Sequence, residues 1–145
     1  MNRLRRTVLG ALAALLAKPF AALAAWNEKA FGAKTAQDAL SGLGAANPAP
    51  SKDIVIDAPQ IAENGAVVPI EIASNIAGTT SLAVVLEKNP FPLAAKFDFK
   101  EGALPYVKLN VKMAETSDVR VVATAGGKHY AATREIKVTI GGCGG

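Results

Sequence analysis

Short apolar stretches recur between residues 51 and 140, and turn residues separate them about every ten positions. In residues 106–113 every second side chain is apolar, and Phe97 and Phe99 share one face of another such stretch. A period of two is the period of a β-strand, whose successive side chains point to opposite faces. The pattern therefore restricts the chain to folds built from short strands that each have one buried face.

We count about seven strands of this kind, with no helical periodicity between them. Asn64-Gly65 and Gly126-Gly127 are typical of tight turns, so each is expected to join the strands on its two sides. Pro69 predicts an edge or bulged strand, because proline has no N–H to donate. The sequence thus predicts an all-β fold, an immunoglobulin-like antiparallel β-sandwich over residues 51–140. Met113 and the phenylalanines are candidates for its core.

Residues 25–50 have a different pattern, which predicts a leading helix and a linker. From Trp26 to Leu43 the apolar residues fall near a 3.6-residue period, and Gly42 and Gly44 supply a stop. The proline-rich residues 47–51 then predict a linker into the sandwich. The apolar stripe is narrow, so the helix is expected to pack on another element.

The first 24 residues predict a cleaved export signal. Arg3, Arg5 and Arg6 precede an uncharged apolar run, and Ala22-Leu23-Ala24 has the small-x-small pattern of a signal peptidase site. The run is about 11 residues long, whereas a membrane-spanning helix needs about 20. Arg5-Arg6 favours the twin-arginine route, with an ordinary Sec signal as the alternative. We expect a periplasmic protein without a membrane span after cleavage; the alternative is an uncleaved anchor.

Cleavage changes the charge of the chain. The full sequence has 16 basic and 12 acidic residues, and four of the basic ones lie in the predicted signal. The mature chain would therefore carry equal numbers of positive and negative side chains. No basic surface remains to predict nucleic-acid binding.

The sequence contains few residues suited to catalysis. His129 is its one histidine and Cys143 its one cysteine, too few for a usual zinc site. His129 lies beside a predicted turn, where a surface position is the ordinary interpretation. No phosphate-binding loop or dinucleotide fingerprint is present. We expect neither a metal, nor a cofactor, nor catalytic residues, and the chain is not predicted to be an enzyme.

Cys143 is the residue that indicates a function. Gly141, Gly142, Gly144 and Gly145 surround it, and glycine loses the most backbone entropy on ordering, so this segment predicts a flexible arm. An extended chain places Cys143 up to roughly 10 Å beyond Ile140. An exported thiol without an intrachain partner is either reactive or paired with another molecule. The sequence predicts a thin swinging arm that carries a substrate on Cys143; the alternative is a frayed tail with an incidental cysteine.

Three segments resemble the SoxY family, the sulfur carrier subunits of bacterial thiosulfate oxidation. They are EKNPFPLA at residues 87–94, VKMAETSDV at residues 111–119 and VTIGGCGG at residues 138–145. The twin-arginine start and the leading helix are also similar to that family. The resemblance covers nearly the whole chain, and the glycine-flanked cysteine is its most specific part. At Asn110 the resemblance leads us to expect an arginine, which this chain lacks.

The resemblance implies a role that the residues alone do not give. SoxY proteins are immunoglobulin-like and form a SoxYZ heterodimer with SoxZ, a second β-sandwich. A haem cytochrome joins thiosulfate to the cysteine, a hydrolase releases sulfate, and a sulfane dehydrogenase oxidises the remaining sulfur. Carried over to this chain, Cys143 is the covalent attachment point, and the four glycines form the arm.

Other functions fit parts of the sequence. SoxY-like carriers also occur with quinoprotein dehydrogenases. Gly144-Gly145 is similar to the end of ubiquitin-like sulfur carriers, but their ATP-dependent chemistry does not fit an export signal. A structural β-sandwich dimerised by a Cys143 disulfide is a third possibility. An enzyme with Cys143 as its nucleophile would lack a base and an orienting group.

Overall fold

The computed structural model of the chain describes residues 27–139. The predicted signal with Arg5 and Arg6, and the predicted arm with Cys143, lie outside the described residues. Two short helices come first, α1 (Glu28–Phe31) and α2 (Ala36–Gly42). Within the described part, nine strands follow: β1 (Ala49–Pro50), β2 (Ile54–Asp57), β3 (Ile61–Ala62), β4 (Val68–Ser74), β5 (Thr79–Leu86), β6 (Leu93–Asp98), β7 (Tyr106–Val111), β8 (Ser117–Ala125) and β9 (Lys128–Val138).

The strands form two sheets. The larger sheet has the order β1-β9-β8-β5-β6, with β3 also pairing to β9, and the smaller has the order β2-β4-β7. Neighbours pair antiparallel, except that β1 and β3 run parallel to β9. The predicted antiparallel sandwich of immunoglobulin type is confirmed. Its strands number nine rather than about seven because β1 and β3 have two residues each, too short to show alternation.

Alternating side chains of the two sheets meet in one core. Ile70 of β4, Leu82 of β5, Val121 of β8 and Ile136 of β9 are completely buried there, and so is Met113. Phe97 and Phe99 pack against the same core, as their shared face predicts. Burying an aliphatic side chain of this size stabilises the fold by roughly 1.5–3 kcal/mol. The core therefore fixes which face of each strand points inward.

The turn predicted at Asn64-Gly65 is present, with the Val67 N–H donating to the Asn64 carbonyl at 3.3 Å, but it does not close a hairpin. The flanking strands β3 and β4 do not pair with each other, because β3 joins β9 while β4 joins β2 and β7. The chain crosses between the sheets there. By contrast, Gly126 and Gly127 have φ values of 55° and 72° and turn β8 into its partner β9, as predicted. Left-handed backbone at two successive positions favours glycine because it has no Cβ.

Pro69 lies in a central strand, not in the predicted edge strand. β4 stands between β2 and β7, but β2 extends only as far as the residue opposite Glu71. Pro69 pairs with Asn110 of β7 and has no β2 residue opposite it. A missing N–H is tolerated there because one side of the strand is locally open.

The predicted helix is two helices. α1 ends at the cap residue Gly32, and the side chain of Thr35 accepts a hydrogen bond from Asp38 N–H to begin α2. Both helices pack on the outer face of the larger sheet, with Ala30 and Leu40 completely buried. Gly42 is part of α2 rather than a stop, and a Cβ there would lie 2.9 Å from Ala30 Cα. The two helices can therefore approach closely only because residue 42 has no side chain.

Phe91 is not a core residue, contrary to the prediction for the phenylalanines. It is half exposed, and the ammonium of Lys34 lies 3.4 Å from its ring centroid. This cation–π contact connects the segment between the two helices with the loop between β5 and β6.

Candidate functional site

Residues 140–145, with Cys143, continue from the end of β9, and Thr139 is the last described residue before them. We call this end of the sandwich, where Val138, Ser117 and Leu86 lie, the exit end. The residues before Thr139 are firmly placed, since Ile136 is completely buried and Val138 packs against the core. Whatever follows Thr139 therefore starts from a fixed point on the sandwich.

Hydrogen bonds hold the end of β9 on the side of β3. The N–H of Lys137 donates to the carbonyl of Gln60 at 3.0 Å, and the N–H of Thr139 donates to the carbonyl of Ala62 at 3.1 Å. The hydroxyl of Thr139 also lies 3.4 Å from the carbonyl of Glu63. These bonds continue the parallel β3–β9 pairing one residue beyond the strand itself.

Thr116 holds the same segment on the side of β8. Its hydroxyl accepts a hydrogen bond from the N–H of Val138 at 2.9 Å. The backbone pairing of β8 with β9 ends before this point, at Ser117 and Ile136. The Thr116 side chain therefore takes the place of a strand partner and extends the support of β9 by two residues.

The loop of residues 63–67 packs against the end of β9. A Cβ at Gly65 would lie 2.6 Å from the carbonyl oxygen of Met113 and 2.8 Å from Cγ1 of Val138. Met113 N–H in turn donates to the Gly65 carbonyl at 2.7 Å. Residue 65 must be glycine for this close approach, and not for a left-handed turn, because its φ is not positive.

The two internal segments of the resemblance meet at the exit end. The Asn89 side chain donates to the carbonyl of Lys112 at 2.7 Å and accepts from the N–H of Ala114 at 3.0 Å. The N–H of Lys88 donates to the Ser117 hydroxyl at 3.1 Å. Segments 87–94 and 111–119 are thus joined by hydrogen bonds beside the base of residues 140–145.

An ion pair also holds the start of the loop between β5 and β6 at the exit end. Arg120 of β8 and Glu87, which follows β5, approach to 2.5 Å, and both side chains are about one-third exposed or less. The backbone N–H of Glu87 also donates to the Asp118 carbonyl at 3.1 Å. The start of the loop between β5 and β6 is therefore held to β8 by both side chain and backbone.

His129 does not belong to the exit end. It lies near the start of β9, where its Nδ1 is 3.1 Å from the Thr124 hydroxyl. A strand rises about 3.3 Å per residue, so the ten positions from His129 to Thr139 span roughly 30 Å. His129 therefore lies far from the base of residues 140–145.

The described residues contain no group of three or more His, Cys, Asp and Glu side chains that could hold a metal ion. Between residues 27 and 139 we also find no helix with the length and apolarity needed to span a membrane. Two open grooves, of about 500 and 1000 Å³, lie elsewhere on the protein. Neither is lined by the residues that hold the end of β9.

One charged cluster lies on the solvent face of the smaller sheet. Tyr106 donates to a Glu71 carboxylate oxygen at 2.7 Å, and Lys108 forms an ion pair with the other oxygen. The hydrogen bonds from Lys108 and Tyr106 lower the pKa of Glu71. The same bonds to Glu71 raise the pKa of Lys108 and that of Tyr106. Tyr106 begins β7 at the opposite end of the sandwich, so the cluster is separate from the exit end.

Sequence reasoning missed the residues that support the base of the predicted arm. In the sequence, Asn89 belongs to a predicted strand break and Gly65 to a predicted turn. Thr116 belongs to no recognisable motif. Only the resemblance connects residues 87–94 and 111–119 with the end of the chain. That connection is the one indication in the sequence that these segments serve one site.

The family model of the sulfur oxidation protein SoxY matches residues 40–143, a range that ends at the cysteine. Among solved structures, the sulfur carrier protein SoxY from Chlorobium limicola f thiosulfatophilum is 43% identical with a TM-score of 0.65. That match covers 71% of this chain and 94% of the other. The search of curated proteins found no match.

Superoxide reductase (neelaredoxin) from Ignicoccus hospitalis is also similar in structure, in two variant forms. The first has a TM-score of 0.52 and 17% identity, and the match covers 59% of this chain and 79% of the other. The second has the same score and identity, with 68% and 87% covered. Similarity at this identity shows a shared sandwich fold alone.

Proposed function

Because this chain belongs to the SoxY family of sulfur oxidation proteins, we propose that it carries thiosulfate-derived sulfur covalently on Cys143. The observation that carries the proposal is a family match that runs through residue 143, the one cysteine of the chain. The support of β9 up to Thr139 agrees with it, since a carrier needs a firm base below its arm. Gly141, Gly142, Gly144 and Gly145 then make a narrow arm that presents the bound sulfur to partner enzymes.

The proposed loading step is an oxidation. The Cys143 thiolate and the terminal sulfur of thiosulfate form an S–S bond, and two electrons leave to a haem cytochrome. The product is a cysteine S-thiosulfonate. A hydrolase then adds water across the bond to the sulfonate group, which releases sulfate and leaves a persulfide on Cys143. A sulfane dehydrogenase then removes six electrons from the outer sulfur of the persulfide, passes them to an electron acceptor and adds the oxygen atoms of three waters, which gives a cysteine S-sulfonate. Hydrolysis of its S–S bond releases a second sulfate and frees the cysteine.

We propose that the carrier supplies no catalytic group and no cofactor of its own. His129 lies about 30 Å from the base of the arm, and without an adjacent base only a few per cent of a free thiol is the reactive thiolate at neutral pH. Each chemical step therefore belongs to a partner enzyme. The carrier contributes the attachment point and the reach of its arm.

We also propose that the mature protein works in the periplasm as a heterodimer with a SoxZ-like β-sandwich. The basic start, the apolar run and Ala22-Leu23-Ala24 support export. Replacing Arg5 and Arg6 by lysine should block export, and normal export of that variant would indicate the Sec route. A mature protein purified from its host without a second chain would contradict the heterodimer.

Cys143→Ser tests the attachment site. The variant should melt at the same temperature as the unchanged protein, because residue 143 follows the described core. It should lose thiosulfate-dependent sulfate production, since a serine hydroxyl cannot form the S–S bond. Thermal unfolding and sulfate release in a reconstituted system measure the two effects. Sulfate production by the serine variant at the unchanged rate would contradict the proposal.

A further inference from the structure

We infer that the enzymes acting on Cys143 dock on the exit end itself, around an apolar collar formed by Ile61 and Val67. The occupant of the collar is the apolar rim of the channel through which an enzyme admits the cysteine. The inference rests on the proposed carrier function and adds the surface by which partners recognise it.

The first step of the argument is that the arm has a fixed origin. Lengthening the arm by peeling β9 from the sandwich would break the backbone bonds of Thr139 to Ala62 and of Lys137 to Gln60. It would also break the bond of Val138 to the Thr116 hydroxyl. The reach of Cys143 is therefore counted from Thr139, because extending it would break the hydrogen bonds that hold the end of β9.

The second step is the length of that reach. Cys143 is four residues beyond Thr139, so a fully extended backbone separates them by at most about 14 Å. A standard interface buries about 800 Å² on each partner, which corresponds to a disc of roughly 16 Å radius. An enzyme that draws Cys143 into a buried centre must therefore cover the exit end with its own surface.

The third step is the chemistry of the surface within this radius. Ile61 of β3 is 55% exposed and pairs with Lys137 of β9, and Val67 is 54% exposed at the end of the loop that packs on Val138. The neighbouring segments carry exposed charges of both signs, among them Glu63, Glu115 and Lys137. Apolar contacts at the centre of an interface, inside a charged border, are the usual source of binding energy.

The test compares three lysine substitutions in the heterodimer carrying the full mature chain. Ile61→Lys and Val67→Lys place a charge in the collar. Leu104→Lys is the matched control, because Leu104 is 82% exposed just before β7, at the opposite end of the sandwich. Steady-state rates of thiosulfate conjugation by the haem cytochrome are measured while the carrier concentration is varied.

We expect the collar variants to raise KM for the carrier about tenfold, with kcat nearly unchanged and the control variant unaffected. Iodoacetamide should alkylate Cys143 at the same rate in all three, since a small reagent needs no docking surface. Equal KM values for collar and control variants would overturn the inference. If a lysine lowers the melting temperature, Ile61→Ser and Val67→Ser give the same comparison.

The two proposals fail in different ways. A Cys143→Ser carrier that still supports sulfur oxidation refutes the carrier function and the docking surface together. A serine variant that is inactive, combined with collar variants that bind normally, refutes the docking surface alone.

Discussion

Thr116 shows how much of the arm's support depends on one hydroxyl group. It accepts the Val138 N–H beyond the point where the backbone pairing of β8 and β9 ends. We predict that Thr116→Val destabilises the protein by about 1 kcal/mol and leaves the last residues of β9 less protected. Hydrogen exchange should show faster exchange at the Val138 amide than in the unchanged protein.

Thr133→Val is the control for that experiment. Thr133 is an exposed threonine in the middle of β9, paired with Arg120 of β8. The substitution has the same shape and the same strand preference, so it should leave the Val138 amide protected. Similar exchange at Val138 in both variants would show that the Thr116 hydroxyl does not support the strand.

Glu71 provides a pH-dependent prediction at the same scale. Its hydrogen bonds from Lys108 and Tyr106 lower its pKa, so they favour the ionised form in the folded state. This contribution to stability is present above the ordinary pKa of the carboxyl and is lost as the pH falls through the lowered value. Lys108→Met should move the Glu71 pKa upward, measured by NMR titration of its side-chain carboxyl carbon. An unchanged pKa would mean that the pair does not form in solution.

Among the elements, β9 and the segment that follows it define the proposed mechanism. Deleting Gly141 and Gly142 shortens the arm by about 7 Å at most. Iodoacetamide should still alkylate the thiol, but partner enzymes should turn over the shortened carrier at least about a hundredfold more slowly, because misplaced reacting groups lose rate steeply. Full activity of the shortened protein would contradict a swinging arm.

Replacing Gly142 and Gly144 by valine tests the thickness of the arm at unchanged length. Valine adds a branched side chain on each side of Cys143 and restricts the backbone. We expect turnover to fall while alkylation by iodoacetamide persists. Replacement by alanine, which adds only a methyl group, should have a smaller effect in the same assay.

Alternation with period two predicts strands such as β7, which has one face on the core. β5 is instead a continuous apolar run, because the helices cover its second face. Alternation could not predict β1 or β3, since two residues contain no period. Asn64-Gly65 predicts the turn but not the pairing of its neighbours, because the glycine is needed for a close contact with Met113 rather than for a hairpin. The apolar pattern of the leading segment runs without a break, so it predicts one helix. The structure has two, because the Thr35 side chain caps a new helix there, and periodicity does not show a cap.

At the scale of the whole molecule, the fold brings distant parts of the sequence to one end. Gln60, Asn89 and Thr116 lie far apart in the chain, yet their hydrogen bonds meet beside the base of the predicted arm. The sequence predicts Cys143 as the attachment point because a glycine-flanked thiol is visible without a structure. The supporting residues became visible only in three dimensions, since their hydrogen bonds go to backbone groups of distant segments and leave no compositional signal.

The most direct test of the central claim is the intact mass of the protein taken from cells that are oxidising thiosulfate. The account predicts a mature chain that is heavier by one S₂O₃ group or by one sulfur atom, with the added mass located at Cys143 and removed by a thiol reductant. The Cys143→Ser protein from the same cells should show neither added mass. An unmodified cysteine in cells that actively oxidise thiosulfate, or an adduct on the serine variant, would contradict the account.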